Sequence, residues 1–498
     1  MTLTNTDPEK RVVSIAVSDA VTGLQVPVVT WWKHPGLRKL CLMMPILMLC
    51  ATINGIVNND RSSSSTATLM RELDFNNPSG STLGLFTAIM NIGGFSALFF
   101  SPYCADVFGR RIATAAGVVI MLIGVIIQLV PGVNRGQFVG GRFLVGFGSN
   151  ISIGAAPLLI MELAYPQHRS RLTTLYNTLW YVGSIVAAWT VYGTIKYSGN
   201  VAWRVPVAIQ GLMPVIQLVG IFLLPESPRW LCSKDRGAEA MAILVKYHAS
   251  GNADDEFVKA EFAEIQETLR LERELTKQGW DVFLRTPGNR KRLLLIVLTS
   301  FFSQCSGNGL SLFNGGLQIW SWLVSVCFSV VFVDKLGRKL CFMIAGVGML
   351  ITFSVWTGCS AVYAQTGNKG AGSAVLAMIF LFYGVAGFAW PGLTVAYCAE
   401  ILPYNIRAKG LALCLGITAL SGVINQYVNP IGLSHLAWKF YFVYIVILVI
   451  EVFCIWFIFV ETRGPTLEEI ATLFEGDDPN VAVSPMVKNK EVDAEHVE

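Results

Sequence analysis

Charged residues occur in this chain in two copies of one short pattern, and their chemistry is that of ion pairing. Residues 106–111 read Asp-Val-Phe-Gly-Arg-Arg, and residues 334–339 read Asp-Lys-Leu-Gly-Arg-Lys, 228 residues later. A single exposed ion pair contributes only about 0–1 kcal/mol, so such charges matter as a network. No arrangement of nucleophile, base and orienting acid accompanies them, and we predict that the chain is not an enzyme.

Two further charged motifs recur in the same order along the chain. Each has one copy in either half of the sequence. In the first motif, a Glu precedes an Arg by seven residues, as Glu162 precedes Arg169 and Glu400 precedes Arg407. The second motif runs from Glu226 to Arg229 and recurs more loosely from Glu461 to Arg463. Three paired motifs at offsets of 228 to 238 residues indicate an internal duplication.

The elements that must position these charges are long apolar segments. Hydrophobic residues make up 53% of the chain and charged residues only 14%, whereas soluble domains carry about 25% charged residues. A helix needs about 20 apolar residues to cross the hydrocarbon core. We therefore predict an all-α membrane protein with twelve transmembrane helices in two six-helix halves. The predicted spans are 40–57, 82–101, 112–130, 137–160, 172–194, 205–224, 293–312, 316–333, 340–363, 374–398, 410–428 and 440–459.

The distribution of basic residues predicts that both termini are cytoplasmic. With the N-terminus inside, the cytoplasmic segments hold 29 of the 37 Lys and Arg residues, as the positive-inside rule requires. The predicted regions are a cytoplasmic N-terminal segment (1–39), a six-helix bundle (40–224), a central cytoplasmic loop with short helices (225–292), a second six-helix bundle (293–459) and a cytoplasmic tail (460–498).

The central loop contains a polar helix, predicted over residues 254–277, with a weak apolar stripe. The stripe runs through Phe257, Phe262, Ile265 and Leu269. Two interpretations are open: a solvated spacer, or cytoplasmic helices that brace the two bundles. The stripe favours bracing helices.

Several classes of partner are not expected. The net charge of +4 is spread along the chain, so nucleic acid is not a predicted partner. The eleven cysteines are scattered without paired metal spacing, and we predict no disulfide framework, no metal site and no cofactor. The lipid bilayer is the predicted surrounding, and we expect a monomer.

The charged motifs resemble those of the sugar porter family of the major facilitator superfamily, over nearly the whole chain. The matching segments are 106–111, Arg142 with Gly146, 162–171, 225–229, 334–339, 400–410 and 461–464. Further segments resemble the fungal lactose and cellobiose permease branch: 78–82, 176–180, 187–189, 306–309 and 317–320.

This resemblance implies a major facilitator fold and a function in transport. We expect a secondary active transporter of the plasma membrane that imports a sugar by proton symport and alternating access. The sugar would be a disaccharide such as lactose or cellobiose, or a hexose. The alternative is a sensor of the same fold that binds sugar with little or no flux.

A transporter must open to one side at a time, and the cytoplasmic charges suit a gate. Salt bridges among them would hold that side closed and break as the bundles rock. The alternative is that the basic residues only fix topology, but the matching acids in each half favour a gate. The predicted gate residues are Asp106, Arg110, Arg111, Glu162, Arg169, Asp334, Arg338, Lys339, Glu400 and Arg407.

A sugar presents hydroxyl groups at its edges and C–H groups on its faces, which suit amides and indole rings respectively. By resemblance, Asn177, Gln304 and Trp390 match sugar-contacting positions of the family. Asn308 lies four residues after Gln304, on the same helix face, and Asn425–Gln426 is a weaker candidate. The alternative for each amide is helix–helix packing, worth about 0.6 kcal/mol on average.

Two charged residues lie inside the predicted spans, Arg142 and Glu451. In family members that are proton symporters, the matching Arg pairs with an Asp of the first span, which is missing here. The nearest carboxylate is Asp60, so Asp60 and Arg142 are the proton-coupling candidates; alternatively, Arg142 only caps neighbouring carbonyls. Glu451 is either a proton relay or a residue that reaches the cytoplasmic interface or a neighbouring polar group. Its position close to Glu461 favours the second interpretation.

The seventh predicted span is short. Only 41 residues, 293–333, are left for two spans and their connection, and two helices need roughly 40 residues to cross the bilayer. Against the family pattern, the outer half of this span and its paired aromatic residues are missing. Three interpretations compete: a shortened transporter, a sensor that lost its outer gate, or a wrongly spliced gene model. We predict poor transport.

Overall fold

The computed structural model describes residues 29–59, 81–130, 134–194, 197, 201–275, 280–307, 319–320, 336–402, 404–462 and 474. Regular structure in these ranges is helical, as the long apolar segments predict. Contacts divide the chain into two units, residues 1–274 with 312–319 and residues 275–311 with 320–498.

The first unit contains the transmembrane helices of the first half and most of the helices of the central loop. They are α1 (Pro35–Asn59), α2 (Ser81–Ala97), α3 (Ser101–Phe108), α4 (Arg110–Leu129), α5 (Arg135–Leu163), α6 (Pro166–Thr194), α7 (Val201–Ile221), α8 (Pro228–Ser233), α9 (Gly237–Tyr247) and α10 (Glu256–Leu275), whose last residue falls in the second unit.

The second unit contains the helices of the second half. They are α11 (Val282–Arg285), α12 (Pro287–Cys305), α13 (Arg338–Thr366), α14 (Lys369–Gly387), α15 (Trp390–Ile401), α16 (Tyr404–Leu436), a 3₁₀ turn (Ala437–Phe440) and α17 (Tyr441–Phe457).

Within the described ranges, seven helices are long and apolar enough to cross a membrane, or eight if the bent pair Gly84–Ala97 and Ser101–Phe108 is one span. One of the seven, Lys409–Phe457, covers both of the last two predicted spans. The fifth and seventh predicted spans form α6 and α12; α12 carries three basic residues, Arg290 to Arg292, near its start. The eighth predicted span, 316–333, lies outside the described residues apart from 319–320.

Glycines allow the helices of the first unit to pack closely. A Cβ atom at Gly124 of α4 would lie 2.6 Å from the Gly141 carbonyl oxygen of α5. A Cβ atom at Gly117 would lie 2.6 Å from the Gly148 carbonyl oxygen, two turns away along the same pair. Backbones in contact are typical of membrane helices, where small residues permit close van der Waals packing.

The helices of the central loop pack on one another and on the first bundle. Phe262, Ile265 and Leu269 of α10 pack against a buried cluster that includes Trp230. Phe257 instead packs on Tyr165, between α5 and α6, with ring centroids 5.2 Å apart. The predicted apolar stripe is therefore a packing face, which favours bracing helices over a solvated spacer, at least for the first unit.

The tenth predicted span, 374–398, is not one helix. It is broken between α14, which ends at Gly387, and α15, which begins at Trp390. Pro391 lies in the first turn of α15, where its missing N–H costs nothing. Inside a continuous helix, its ring would clash with the Gly387 carbonyl, so the tenth predicted span is described as two helices joined at a break.

Candidate functional site

Arg110, the first residue of α4, joins two acids of the first unit. Its Nη1 atom lies 3.2 Å from Asp106 Oδ1, and its Nε atom lies 3.3 Å from Glu162 Oε2. Nη1 also donates a hydrogen bond to the Ala105 carbonyl oxygen at 2.9 Å. Asp106 is 71% exposed, whereas Glu162 is only 11% exposed. Solvent therefore screens the pair with Glu162 less than the pair with Asp106.

Glu226 caps the same helix from the end of α7. Its two carboxylate oxygens accept hydrogen bonds from the Arg111 backbone N–H at 3.1 and 3.2 Å. The Ser227 N–H donates to Glu226 Oε1 at 2.9 Å. Burial raises the pKa of Glu226 above its ordinary value, and the bonds from these backbone amides oppose that rise. The cap satisfies N–H groups that have no partner inside the helix, and a negative charge there suits the helix dipole.

The start of α4 is also hydrogen-bonded to α8, the first helix of the central loop, and to the segment before it. The Arg111 side chain donates to the Leu224 carbonyl oxygen at 2.9 Å, and the Trp230 indole N–H of α8 donates to the Asp106 carbonyl oxygen at 2.9 Å. Asp106, Arg110 and Arg111 therefore lie in one cluster with the residues that follow α7.

The second unit repeats this arrangement. The backbone N–H groups of Arg338 and Lys339, at the start of α13, donate to the two oxygens of Glu461 at 2.8 and 3.1 Å. The Arg338 side chain lies 3.1 Å from Glu400 Oε1, and the Thr462 hydroxyl donates to Glu400 Oε2 at 2.5 Å. The internal duplication seen in the sequence is thus also a duplication of contacts.

The predicted gate residues are brought together in part. Every ion pair that the structure describes among them joins residues of the same unit, as Arg110 with Glu162 and Arg338 with Glu400. Three others are not covered: Asp334 lies outside the described residues, and the side chains of Arg169 on α6 and Arg407 on α16 are not described. The gate therefore stays a prediction.

Sequence reasoning missed the role of Glu226 and Glu461 as caps. Both were recognised only as a repeated motif, although their recurrence after the repeated Gly-Arg pairs was a usable signal. A cap depends on which helix end the carboxylate reaches, and the chain separation of 115 residues between Arg111 and Glu226 hides that.

Trp390 and Gln304 are candidate sugar contacts in the second unit. Trp390 opens α15, is 6% exposed and packs on Phe342 with ring centroids 4.9 Å apart. Its buried indole Nε1 has no hydrogen-bond partner among the described residues. Gln304 lies at the end of α12 and is half-buried. A buried donor without a partner costs free energy, and a ligand hydroxyl would satisfy the Trp390 indole.

Asn425, the weaker candidate, is used for packing. Its side-chain Nδ2 donates to the Gln304 carbonyl oxygen at 2.6 Å. Its Oδ1 accepts from Asn429 Nδ2 at 2.9 Å and from the Tyr444 hydroxyl at 2.8 Å. These bonds join α12, α16 and α17. Asn425 therefore has the helix-packing role that was the alternative to sugar binding for each amide.

Two predicted sugar contacts cannot be placed. Asn177 lies on α6, but its side chain is not among those described, and Asn308 lies outside the described residues.

Arg142 is buried on α5 at 5% exposure. Its Nη1 atom donates to the Phe86 carbonyl oxygen at 3.2 Å, and its guanidinium lies over the Phe138 ring, 5.0 Å from the centroid. This contact is the carbonyl cap that was the alternative to proton coupling. Asp60 lies outside the described residues, so the coupling pair is still a prediction.

Glu451 of α17 is completely buried. It is hydrogen-bonded to the Ser306 hydroxyl, just after α12. Glu451 therefore meets a neighbouring polar group, which is one of the two contacts that the second interpretation allowed.

Comparison with known proteins agrees with this architecture. The model of the family "Sugar (and other) transporter" matches residues 46–474. The chain is 28% identical to an MFS-type transporter, criB, of Aspergillus cristatus, over 85% of this chain and 92% of that protein. It is 29% identical to the hexose transporter HXT13 of Saccharomyces cerevisiae, over 79% and 74% of the two chains.

Solved structures show the same fold. The inward-open conformation of the xylose transporter XylE from E. coli matches with a TM-score of 0.74 at 21% identity, over 87% of this chain and 99% of that chain. Both units therefore belong to a major facilitator fold. Because the family match covers most of the sequence, the chain belongs to the sugar (and other) transporter family, the sugar porters of the major facilitator superfamily, which are multi-pass membrane transporters and not enzymes.

Proposed function

We propose that this protein is a secondary active transporter that imports a sugar by alternating access, coupled to protons. Support comes from relatives whose names are hexose and glucose transporters, such as the high-affinity glucose transporter of Kluyveromyces lactis at 27% identity. A second solved XylE structure, described as a proton:xylose symporter bound to 6-bromo-6-deoxy-D-glucose, matches with a TM-score of 0.67 at 22% identity. The finer assignment to lactose or cellobiose rests on the branch motifs alone.

The observation that carries the proposal is the indole N–H of Trp390, which has no hydrogen-bond partner in the part of the chain that the structure describes. Trp390 is the first residue of α15, directly after the break that separates this helix from α14. An apolar bundle has no reason to keep a buried donor unpaired. A sugar hydroxyl would accept this bond, and the Gln304 amide, which makes no side-chain hydrogen bond within the described residues, would bind another.

Uptake of radiolabelled sugars in yeast cells without their own sugar permeases tests the proposal. We expect Trp390→Phe and Gln304→Ala each to reduce uptake roughly tenfold, because each loses a hydrogen bond of about 1 kcal/mol together with its packing. Trp356→Phe is the matched control, since Trp356 is equally buried in the same unit, against Phe353. Equal uptake by all three variants, at equal surface expression, would remove both residues from the sugar site.

The same cells decide the class of sugar. D-Glucose and D-xylose represent the monosaccharides, and lactose and cellobiose the disaccharides. We expect saturable uptake of at least one, stimulated by external acid, with the protein in the plasma membrane and both termini accessible only from the cytoplasm. Epitope tags at each end, stained before and after permeabilisation, check this orientation.

A sugar sensor is the second candidate function, and one observation favours it. Helix α12 ends at Cys305, and Gly307 has a positive φ of 94°, so the described part of the seventh span stops early. The segment beyond it, 308–318, lies outside the described residues. Sequencing the transcript across residues 310–317 shows whether the short form exists. If it does, a version with a restored insert should transport faster; equal uptake by the two would contradict the prediction of poor transport.

A further inference from the structure

The interior of the second unit holds an acid that the sugar site does not use. Glu451, in the middle of α17, is 0% exposed. Within the described ranges, no Lys, Arg or His lies within ion-pair distance of it, and its one hydrogen-bond partner is the Ser306 hydroxyl. Its Oε1 atom has no hydrogen-bond partner there. A charged carboxylate in this position would have no counter-ion among the described residues.

The two contacts of the Ser306 oxygen indicate which protonation state of Glu451 the local hydrogen bonds require. The Ser306 oxygen lies 2.6 Å from the Phe302 carbonyl oxygen and also in contact with Glu451 Oε2. A hydroxyl has a single hydrogen. When that hydrogen goes to Phe302, the contact with Glu451 is a hydrogen bond only if the carboxyl group donates. A protonated Glu451 therefore satisfies both contacts of the Ser306 oxygen, with Phe302 and with Glu451 Oε2.

Among the described residues, few other titratable groups lie around this carboxyl. On α13 the residue that faces Glu451 Oε1 is Gly346, and Cys341 is the titratable residue nearest to Gly346 along that helix. On α12 the nearest titratable residue is Cys305, next to Ser306. The titratable residues of α17 itself and of the 3₁₀ turn before it are Cys454, Tyr444, Tyr441 and Lys439. Lys439 precedes Glu451 by twelve residues, about 18 Å along a helix.

The acid is linked to the candidate sugar contacts through the end of α12. Ser306 follows that helix and lies two residues after Gln304. The Gln304 carbonyl is held by Asn425, so this helix end is fixed from two sides. Loss of the Glu451 proton would turn the Ser306 hydroxyl away from Phe302 and toward the carboxylate. The local structure beside Gln304 thus depends on whether Glu451 carries a proton.

We propose that Glu451 is a proton-binding site of this transporter, linked to sugar binding through Ser306 and the end of α12. This inference rests on the proposed function as a proton-coupled sugar transporter. The carboxylate takes one proton from hydronium and forms an O–H bond, leaving water; release to water restores hydronium and the carboxylate. No electrons are transferred. Because linkage is reciprocal, a proton that favours sugar binding is itself bound more tightly when sugar is present.

The test uses the full-length protein in proteoliposomes, with radiolabelled D-glucose or whichever sugar the cell assay selects. Glu451→Gln keeps the shape and a donor toward Ser306, and so mimics the protonated acid. We expect counterflow exchange within about twofold of the wild type, while accumulation driven by an inward proton gradient falls to a ratio of about one. Sugar affinity between pH 5 and pH 8, which varies in the wild type, should become independent of pH.

A second pair of variants guards against a merely structural role. Ser306→Ala should move the midpoint of the wild-type pH profile by about 0.5 unit or more, since one hydrogen bond changes. Ser303→Ala, one turn earlier on α12, should leave it in place; the Ser303 hydroxyl bonds the Ser300 carbonyl. If Glu451→Gln accumulates sugar down a proton gradient as well as the wild type does, Glu451 is not the proton-binding site, whereas proton symport itself is not contradicted. Sugar transport by the wild type without any proton uptake would overturn proton symport and this inference together.

Discussion

At the scale of single residues, Gly109 and Gly337 make the carboxylate caps possible. Their φ angles are 98° and 91°, a backbone conformation open to glycine and strained for other residues. A Cβ atom at Gly109 would lie 2.5 Å from Glu226 Oε2, and one at Gly337 would lie 2.7 Å from Glu461 Oε2. Each glycine thus leaves room for the acid that caps the helix after it.

Gly109→Ala and Gly337→Ala should therefore each lower the free energy of unfolding, by about 1–3 kcal/mol, through backbone strain and displacement of the cap. The measurement is the thermal unfolding midpoint of the purified protein in detergent. Gly358→Ala is the control, because this glycine lies inside α13 with no atom within 4 Å of its added Cβ. That change should be neutral or stabilise by up to about 1 kcal/mol. Equal midpoints for all three variants would contradict the role of the two glycines.

The role of an individual residue could be predicted from the sequence only where the residue type alone indicates that role. Repeated charges placed Arg110, Glu162, Arg338 and Glu400 in one predicted set of gate residues without pairing them; the structure pairs Arg110 with Glu162 and Arg338 with Glu400. The burial of Glu451 against Ser306 could not be predicted, because 145 residues separate them and the orientation of α17 decides the contact. The use of Asn425 for packing likewise depends on which helix its amide faces.

At the scale of elements, the helices of the central loop are fixed to the first bundle by a buried polar contact. His248 Nδ1, just after α9, lies 2.7 Å from Glu261 Oε2 of α10. The other ring nitrogen lies 3.1 Å from the Leu163 carbonyl oxygen, at the end of α5. One imidazole therefore joins two helices of the central loop to a membrane-spanning helix.

Glu261→Ala should loosen α9 and α10, because a buried polar group left without its partner costs about 1–3 kcal/mol. Hydrogen–deuterium exchange of residues 237–275 should become faster, while α4 and α5 keep their protection. Glu267→Ala is the matched control, because its pair with Arg270 at 2.6 Å is exposed and contributes only about 0–1 kcal/mol. Identical exchange in the two variants would show that the His248 contact does not brace these helices.

Helix positions were largely predictable because long apolar runs must satisfy their backbone hydrogen bonds inside the membrane. Helix ends were less predictable. The predicted span starts at residue 293, but α12 begins at Pro287. The Thr286 side chain caps the helix there, and proline suits the first turn. Pro391 could have indicated the helix break before Trp390, but a prediction from hydropathy alone does not take proline into account.

At the scale of the whole molecule, the duplicated charges are proposed to gate the cytoplasmic side. Replacing Arg110 and Arg111, or Arg338 and Lys339, with Gln should favour inward-facing states. Pairs worth about 0–1 kcal/mol each predict a change of about two- to fivefold in the labelling rate of a single cysteine placed in the outer vestibule.

The control for the gate is Arg236→Gln, whose pair with Glu239 is exposed on the cytoplasmic helices. It should leave the labelling rate unchanged. If the gate variants insert normally and also label at the wild-type rate, the basic residues fix topology and do not gate.

The most direct test of sugar transport is counterflow with the purified protein in liposomes. Liposomes loaded with unlabelled sugar are diluted into a trace of the same radiolabelled sugar. We expect a transient accumulation of label that protein-free liposomes lack, that excess external sugar abolishes, and that Trp390→Phe reduces roughly tenfold. Binding of the sugar by the protein without any counterflow would contradict the account and identify a sensor instead.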